Sequence, residues 1–501
     1  MRLLPGIGLA AVTALAPTAV VGQGYRLRLD SRFQTVAFRG VVLDSIPAAD
    51  TVTGPGGGPA TPEGYAVECT GGSSYCTFFR PGPTWRGAPL STTADLTAWG
   101  FGAAGLSLHL TSRLGFDLGN ADAWPGTTPA VQLLVGYAEY ARQRATVRLG
   151  RQVATSRLGY YGFDGAGVTL RDEGRGLELV AYGGWGLARG AAIPVTSPAL
   201  NPLDDFQPRR RQLVAGATAG WTTTQVDVRA DYLREVDPRS DYFVSERFGV
   251  EAAVRPYPGV HVEGGADYDL AAGWWGSAEL SGGYAVSRLA ASVGVRRYRP
   301  HFDLWTIWGA FSPVPYHAVH AEADGRVTAQ LRLRARGERY TFDDADVATP
   351  LVQAERKGSR WELGATLEPK DGWLLDAGYH REYGPGAAAV GLDASATWAP
   401  PSRPYRVSVH GSSLDRPLEF RFSEAVVKVY GAEAEWTVSD RVRANVGLDR
   451  YSEQRRRPDA AAFDWNQWRL TSRVVLQFGR GADLSRLPPA VRGMPGGRAE
   501  R

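Results

Sequence analysis

Apolar and polar positions alternate through "RVTAQLRLRARGERY", Arg326 to Tyr340. Val327, Ala329, Leu331, Leu333 and Ala335 share one parity; Thr328, Gln330, Arg332, Arg334 and Arg336 share the other. Successive side chains of a strand point to opposite faces, so this stretch predicts a strand with one oily face and one face carrying three guanidinium groups. The same pattern recurs along the chain as runs of about ten residues bounded by Gly, Pro, Asp or Asn. Examples are "YRLRLDSRFQTVAF" from Tyr25, "LSLHLTSRLGFDL" from Leu106, "ATVRLGRQVA" from Ala145, "QVDVRADYL" from Gln225 and "VHVEGGADYDL" from Val260. "WELGATLEP" follows from Trp361, and "QWRLTSRVVLQF" ends at Phe478. Beyond the N-terminus no long run keeps the helical period.

The connections alternate as well. Short turns such as "EPKDGW", "EADGRV" and "TVSDRV" trade places with longer loops, among them Ser45–Pro89, Ala191–Pro208, His301–Pro315, Asp343–Lys357 and Ser452–Ala462. The segment "HFDLWTIWGAF" is counted as loop. On this reading the chain has about 22 strands, within a range of roughly 20–26, which suits a closed antiparallel up-and-down barrel.

The apolar face is rich in Ala, Gly, Val and Leu, with Trp and Tyr near strand ends. Trp361 and Trp373 flank one short turn, Trp436 precedes another, and Trp221 ends a strand. That is the aromatic girdle of a barrel crossing a bilayer, where closure satisfies every backbone hydrogen bond. Leu331 and Leu333 then face lipid, while Arg332, Arg334 and Arg336 face a wet lumen.

Composition narrows the classes. Among 501 residues, 44% are hydrophobic and 22% charged, which excludes a polytopic helical membrane protein. The 56 basic and 52 acidic residues nearly balance, so nucleic-acid binding has little support. The only lysines are Lys357, Lys370 and Lys428. "MRLLPGIGLAAVTALAPTAVVGQG" reads as a secretory signal peptide over residues 1–22. Cys69 and Cys76 stand alone in one loop of a secreted chain, which predicts a disulfide. No metal cluster, haem-attachment motif or nucleophile elbow is present in the sequence. "YHAVHAEAD" sets His317 and His320 on opposite strand faces, against a shared metal, so neither an enzyme nor a cofactor is expected.

Together the leader, the strand ladder and the terminal strand "WRLTSRVVLQF" resemble a Gram-negative outer-membrane β-barrel, specifically a large porin. In that strand Trp468, Leu470, Val474, Leu476 and Phe478 share one face and end on an aromatic, similar to the C-terminal signal of such proteins. The pattern departs at its end, because the polar tail 479–501 follows Phe478. "VRLGRQ", Val147 to Gln152, followed by "FDGAGV" is similar to a unit of substrate-selective porins whose Arg lines the lumen. Parity turns Arg148 and Gln152 inward and Arg151 outward. The resemblance implies a bacterial outer-membrane location, a barrel over residues 23–478, short periplasmic turns, longer extracellular loops (45–89 the longest) and a disordered periplasmic tail.

The inward-facing charges are the candidate functional residues. Selectivity candidates are Arg148, Arg229, Arg332, Arg334, Arg336, Glu362, Arg443, Arg469 and Arg473. Arg26, Arg28, Arg32, Asp231, His261, Glu263, Asp267, Asp376, His380 and Glu382 share the inward parity. Glu362 and Glu368 on the following strand are the expected partial neutralisers of the three-arginine ladder. Arg209–Arg211 and Arg455–Arg457 sit at loop edges on the outer side. Three functions fit: a porin passing small hydrophilic solutes or ions with weak anion preference, a sheath around a multihaem cytochrome partner, or a surface receptor or adhesin. No plug-like segment precedes the first expected strand, which disfavours an energy-coupled transporter.

Overall fold

A computed structural model describes residues 24–480, apart from 55–56, 120–129, 188–211, 237, 239–242, 300–314, 344–355, 370–371, 385–388, 402, 416–424 and 457–462. The expected leader 1–22, the tail beyond residue 480, the segment 301–311 and the cluster Arg209–Arg211 lie outside the described residues, as does Arg457.

Twenty-two strands make one closed antiparallel sheet. The first, Gly24–Gln34, pairs on one side with Pro89–Trp99 and on the other with the last strand, Trp465–Gly479. Every other strand pairs with its neighbours in sequence, so the topology is a plain meander closed at one seam. The periplasmic turns are short: the strands Val131–Arg142 and Ala145–Ser156 are joined by two residues, and Ala425–Ser439 and Val442–Arg455 likewise. The strand number and the alternation of short turns with longer loops match the sequence expectation.

Leu149, Leu280, Val293, Leu363 and Leu392 are each more than half exposed on the outer face. Asp231, Glu338, Thr366, Asp376 and Gln477 are buried on the inner face. This inversion of a soluble protein is what a lipid-facing band around a polar interior requires. At the periplasmic end the rings of Trp373, Trp398 and Tyr405 touch in series, with centroids 6.1 and 5.9 Å apart. Trp361 does not belong to that girdle. It lies six residues before Leu367, the periplasmic end of its strand Lys357–Leu367, and so sits toward the outer leaflet.

The long first loop is itself built of strand. Val36–Pro47 pairs with Tyr75–Gly87 and prolongs the first barrel hairpin outward. Cys69 and Cys76 are bonded near its tip, with sulfurs 2.01 Å apart. Arg80 and Asp44 pair across the hairpin at 2.7 Å. At its base, the backbone N–H of Ala37 donates to Gln467 Oε1 at 2.8 Å, tying the hairpin to the last strand.

Candidate functional site: the barrel lumen

The lumen wall is made by every second residue of each strand. On the strand Leu331–Phe342, the inward set is Arg332, Arg334, Arg336, Glu338 and Tyr340, while Leu333 is exposed on the outside. The ladder is neutralised differently from the sequence expectation. Arg332 pairs with Asp324 of the preceding strand at 2.7 Å. Arg334 reaches past the following strand to Asp376, with Nη1 and Nη2 3.1 and 3.0 Å from its two oxygens. That reach depends on Gly364, where a Cβ would stand 2.3 Å from Arg334 Nε. Thr366 Oγ1 donates to the same Asp376 at 2.6 Å. Glu362 sits opposite Arg336 in register, but Arg336 makes no ion pair among the described residues. Glu368 lies beyond the end of its strand, in the turn, and its N–H donates to the Gln330 carbonyl. The reason is geometric: a guanidinium on a long stem reaches two strands sideways where the intervening residue has no side chain.

Next to the ladder, Arg360 bridges Glu338 at 3.2 Å and Glu382 at 2.7 Å, and Arg296 also binds Glu338. His380 lies in register with Glu362.

At the closing seam, Asp30 is shared by arginines. Arg473 binds it through two contacts of 2.9 and 2.5 Å, Arg32 at 3.2 Å and Arg28 at 3.8 Å. Arg26 faces the lumen one step below. Arg469 lies over the Tyr451 ring, 4.1 Å from its centroid. Arg443 approaches Glu435 at 3.9 Å, and Arg406 binds the same carboxylate at 3.0 Å. On the neighbouring arc, Arg148 pairs with Glu139 at 2.7 Å, and Gln152 is buried. Arg151 lies on the outward parity and pairs with Asp164 at 2.7 Å.

One element was not visible in the sequence. The tip joining Ala145–Ser156 to Gly159–Asp172 folds into the lumen. Leu158 packs with Tyr161, Val214 and Leu233 in an apolar cluster inside the barrel, flanked by Tyr182. The Arg157 N–H donates to Asp231 Oδ2 at 3.3 Å, and its Nη1 donates to Glu279 Oε1 at 3.1 Å. Its Nε stands 4.0 Å from Asp267. Arg229 holds the tip from below, donating to the Thr155 carbonyl and to Asp231, both at 3.2 Å. The walls leave room for this: a Cβ on Gly249 would meet Leu158 at 3.0 Å, and one on Gly265 would meet Arg157 at 2.6 Å. The pairing of small residues on the walls with an Arg-Leu tip was the available signal, but it is scattered over distant strands.

Seen round the ring, the charges separate. The seam strands Gly24–Gln34 and Trp465–Gly479 present Arg26, Arg28, Arg32, Arg469 and Arg473 inward, with Asp30 as their one inward acid. The strands Val260–Asp269 and Trp274–Ala285 present Glu263, Asp267, Asp269 and Glu279, together with His261. Of the 22 strands, ten lie between Gly24–Gln34 and Trp274–Ala285 in either direction, so these walls oppose each other. Opposed fixed charges across a wet lumen set up a transverse field, strongest within roughly 8 Å of each wall at physiological salt.

No family model matches the chain, and no curated protein matches its sequence. Among solved structures it is similar to a point mutant of the ferric enterobactin receptor of Pseudomonas aeruginosa in complex with enterobactin. The TM-score is 0.52 at 10% identity, covering 90% of this chain and 81% of that one. It is also similar to Pseudomonas aeruginosa OccK3, with a TM-score of 0.36 and 10% identity over 91% of this chain and 95% of that one. Acinetobacter baumannii OccAB3 gives a TM-score of 0.36 and 11% identity over 90% and 99% of the two chains. At these identities the likeness is one of fold. The fold is that of outer-membrane β-barrels, and with its apolar outer band it places the chain in the bacterial outer membrane.

Proposed function

We propose that the barrel is a passive outer-membrane conduit for small hydrophilic solutes. The observation that carries this reading is the charged lining itself: arginines and carboxylates face the lumen on strands all round the ring, fixed in place by ion pairs within and between strands. Such a lining keeps a water column, and its field sorts the solutes that enter. Anion preference is weaker than three free arginines would give, because Arg332 and Arg334 are paired. What remains comes from Arg336 and the seam arginines, opposed by the acidic wall. Solutes carrying both charges therefore fit the lumen best, each group turned to its complementary wall.

The inward tip at Arg157–Leu158 counts against the cytochrome-sheath reading, because it occupies space that a luminal partner would fill. The protruding first-loop hairpin, with exposed Leu43 and Phe79 on one face, favours surface recognition as a second reading. Purified protein in a planar bilayer tests the first: discrete ohmic steps in potassium chloride support a conduit. A folded, heat-modifiable barrel with no conductance overturns it and leaves surface recognition.

A further inference from the structure

The outer face of the barrel carries cations where lipid headgroups lie. Arg339, Lys357, Arg381, Lys428 and Arg450 all fall on the outward parity of their strands, in the extracellular half. None makes an ion pair among the described residues, in contrast to the luminal arginines. The nearest described outward acids are already engaged: Asp343 by His317 at 3.0 Å and Arg297 at 3.5 Å, and Asp415 by Arg456 at 2.5 Å.

The five fall into two groups, each built round aromatic rings and hydroxyls. In the first, Arg339 lies opposite Ser359, Lys357 is two residues from Ser359 on the same strand, and Arg381 lies opposite Trp361. In the second, Lys428 lies between Ser413 and Ser452, and Arg450 lies between Tyr430 and Trp468. Arg339 with Lys357, and Lys428 with Arg450, are diagonal neighbours on paired strands, about 7–8 Å apart, so each of these two pairs can close on one tetrahedral anion, with Arg381 one strand further along the same face. Trp361, Tyr430 and Trp468 are each more than half exposed and mark the headgroup level. Two of the three lysines in an arginine-rich chain are placed here.

We propose that this face binds the phosphate groups of a phosphorylated glycolipid in the outer leaflet, two anions being held by the two cation groups while the acyl chains lie along the apolar band below. Unpaired cations, hydroxyl donors and aromatic rings at the membrane surface recognise an anionic headgroup. The charge complementarity is one-sided: Asp343 and Asp415 on this face are ion-paired, and Asp464 at its edge is bonded to the Arg455 N–H.

The test is native mass spectrometry of the full-length barrel with added lipid A or its dephosphorylated form. The wild-type barrel is expected to retain lipid A at least about tenfold better than the dephosphorylated lipid. The variant R339Q/K357Q/R381Q/K428Q/R450Q loses that preference, whereas the luminal Arg336→Gln keeps it. Equal retention of both lipids by the wild type, or an undiminished preference in the five-site variant, overturns the proposal. So does displacement of lipid A by inorganic phosphate at the same concentration, which would assign the cations to a free anion. If the five-site variant does not assemble, the pairs R339Q/K357Q and K428Q/R450Q are each expected to lose about half of the bound lipid, and no loss from either overturns it. The wild-type comparison stands without any variant.

Discussion

The two opposed walls of the lumen share charge in opposite senses. At the seam, one carboxylate, Asp30, serves Arg28, Arg32 and Arg473. On the far wall, one guanidinium, Arg157, serves Glu279 directly and lies beside Asp267. The seam builds its balance from paired strands, so its residual positive charge is fixed. The acidic wall borrows a cation from a hairpin tip that starts six strands away, so part of its charge depends on how that tip is held. The tip's hold rests on Asp231, which accepts from Thr218 at 2.6 Å, from Arg229 and from the Arg157 backbone.

Breaking that hold gives the largest expected effect. Asp231→Ala strands Arg229 and the tip N–H without their acceptor, and removal of one partner from a buried charged network costs about 3–5 kcal/mol. The expected outcome is a lower unfolding midpoint in detergent, with larger and noisier single-channel currents as the tip leaves the wall. Currents of unchanged size and noise would show that the tip does not narrow the path.

Arg334→Gln is next. Asp376 is buried, and losing a charged partner leaves it uncompensated at a cost of about 3 kcal/mol. The variant barrel should melt lower and become more cation-preferring. Stability equal to wild type would mean Thr366 alone satisfies Asp376.

Asp30→Asn frees the seam arginines. Charge-assisted bonds to one carboxylate are lost, at about 2 kcal/mol, and the reversal potential in a salt gradient moves toward anions. Arg336→Gln sharpens the contrast from the other side, since this arginine has no ion pair among the described residues. Its stability should stay within about 0.5 kcal/mol of wild type while selectivity moves toward cations. A reversal potential that does not move would leave Arg336 as wall only.

The smallest effect lies outside the membrane. Arg80 holds the Asp44 carboxyl below the usual carboxylate range, helped by the Ser45 N–H. A depressed folded value contributes stability above the unfolded pKa, and that contribution is lost as pH falls through the folded value. Protection factors of the amides in the first-loop hairpin, exchange rates taken relative to the intrinsic rate at each pH, should therefore fall as the solution is acidified below the ordinary carboxylate range, and Arg80→Gln should remove the change.

Much of this was readable from alternation alone. Period-2 patterning gave strand number and the lipid face, because a one-residue slip would put Arg332 and Arg334 into lipid. The partners of those arginines were not readable. Arg334 finds Asp376 across Gly364, a contact set by side-chain reach and not by sequence neighbourhood. Trp361 departs from the periplasmic girdle that its nearness to the turn in sequence predicts, because six residues of extended strand carry it toward the outer leaflet. The inward tip escaped notice because "TSRLGYYG" reads like any short connection, and its partners Asp231 and Glu279 lie 74 and 122 residues further on. The opposition of the two walls needs the ring closed before it exists at all.

The most direct test of two opposed walls is the reversal potential of two matched variants under one salt gradient. Arg28→Gln with Arg32→Gln thins the basic wall, and Glu263→Gln with Glu279→Gln thins the acidic one. A lumen with opposed walls shifts toward cation preference in the first variant and toward anion preference in the second, and both shifts shrink as salt is raised. Two conducting barrels whose reversal potentials stay at the wild-type value, or move in the same direction, would contradict it.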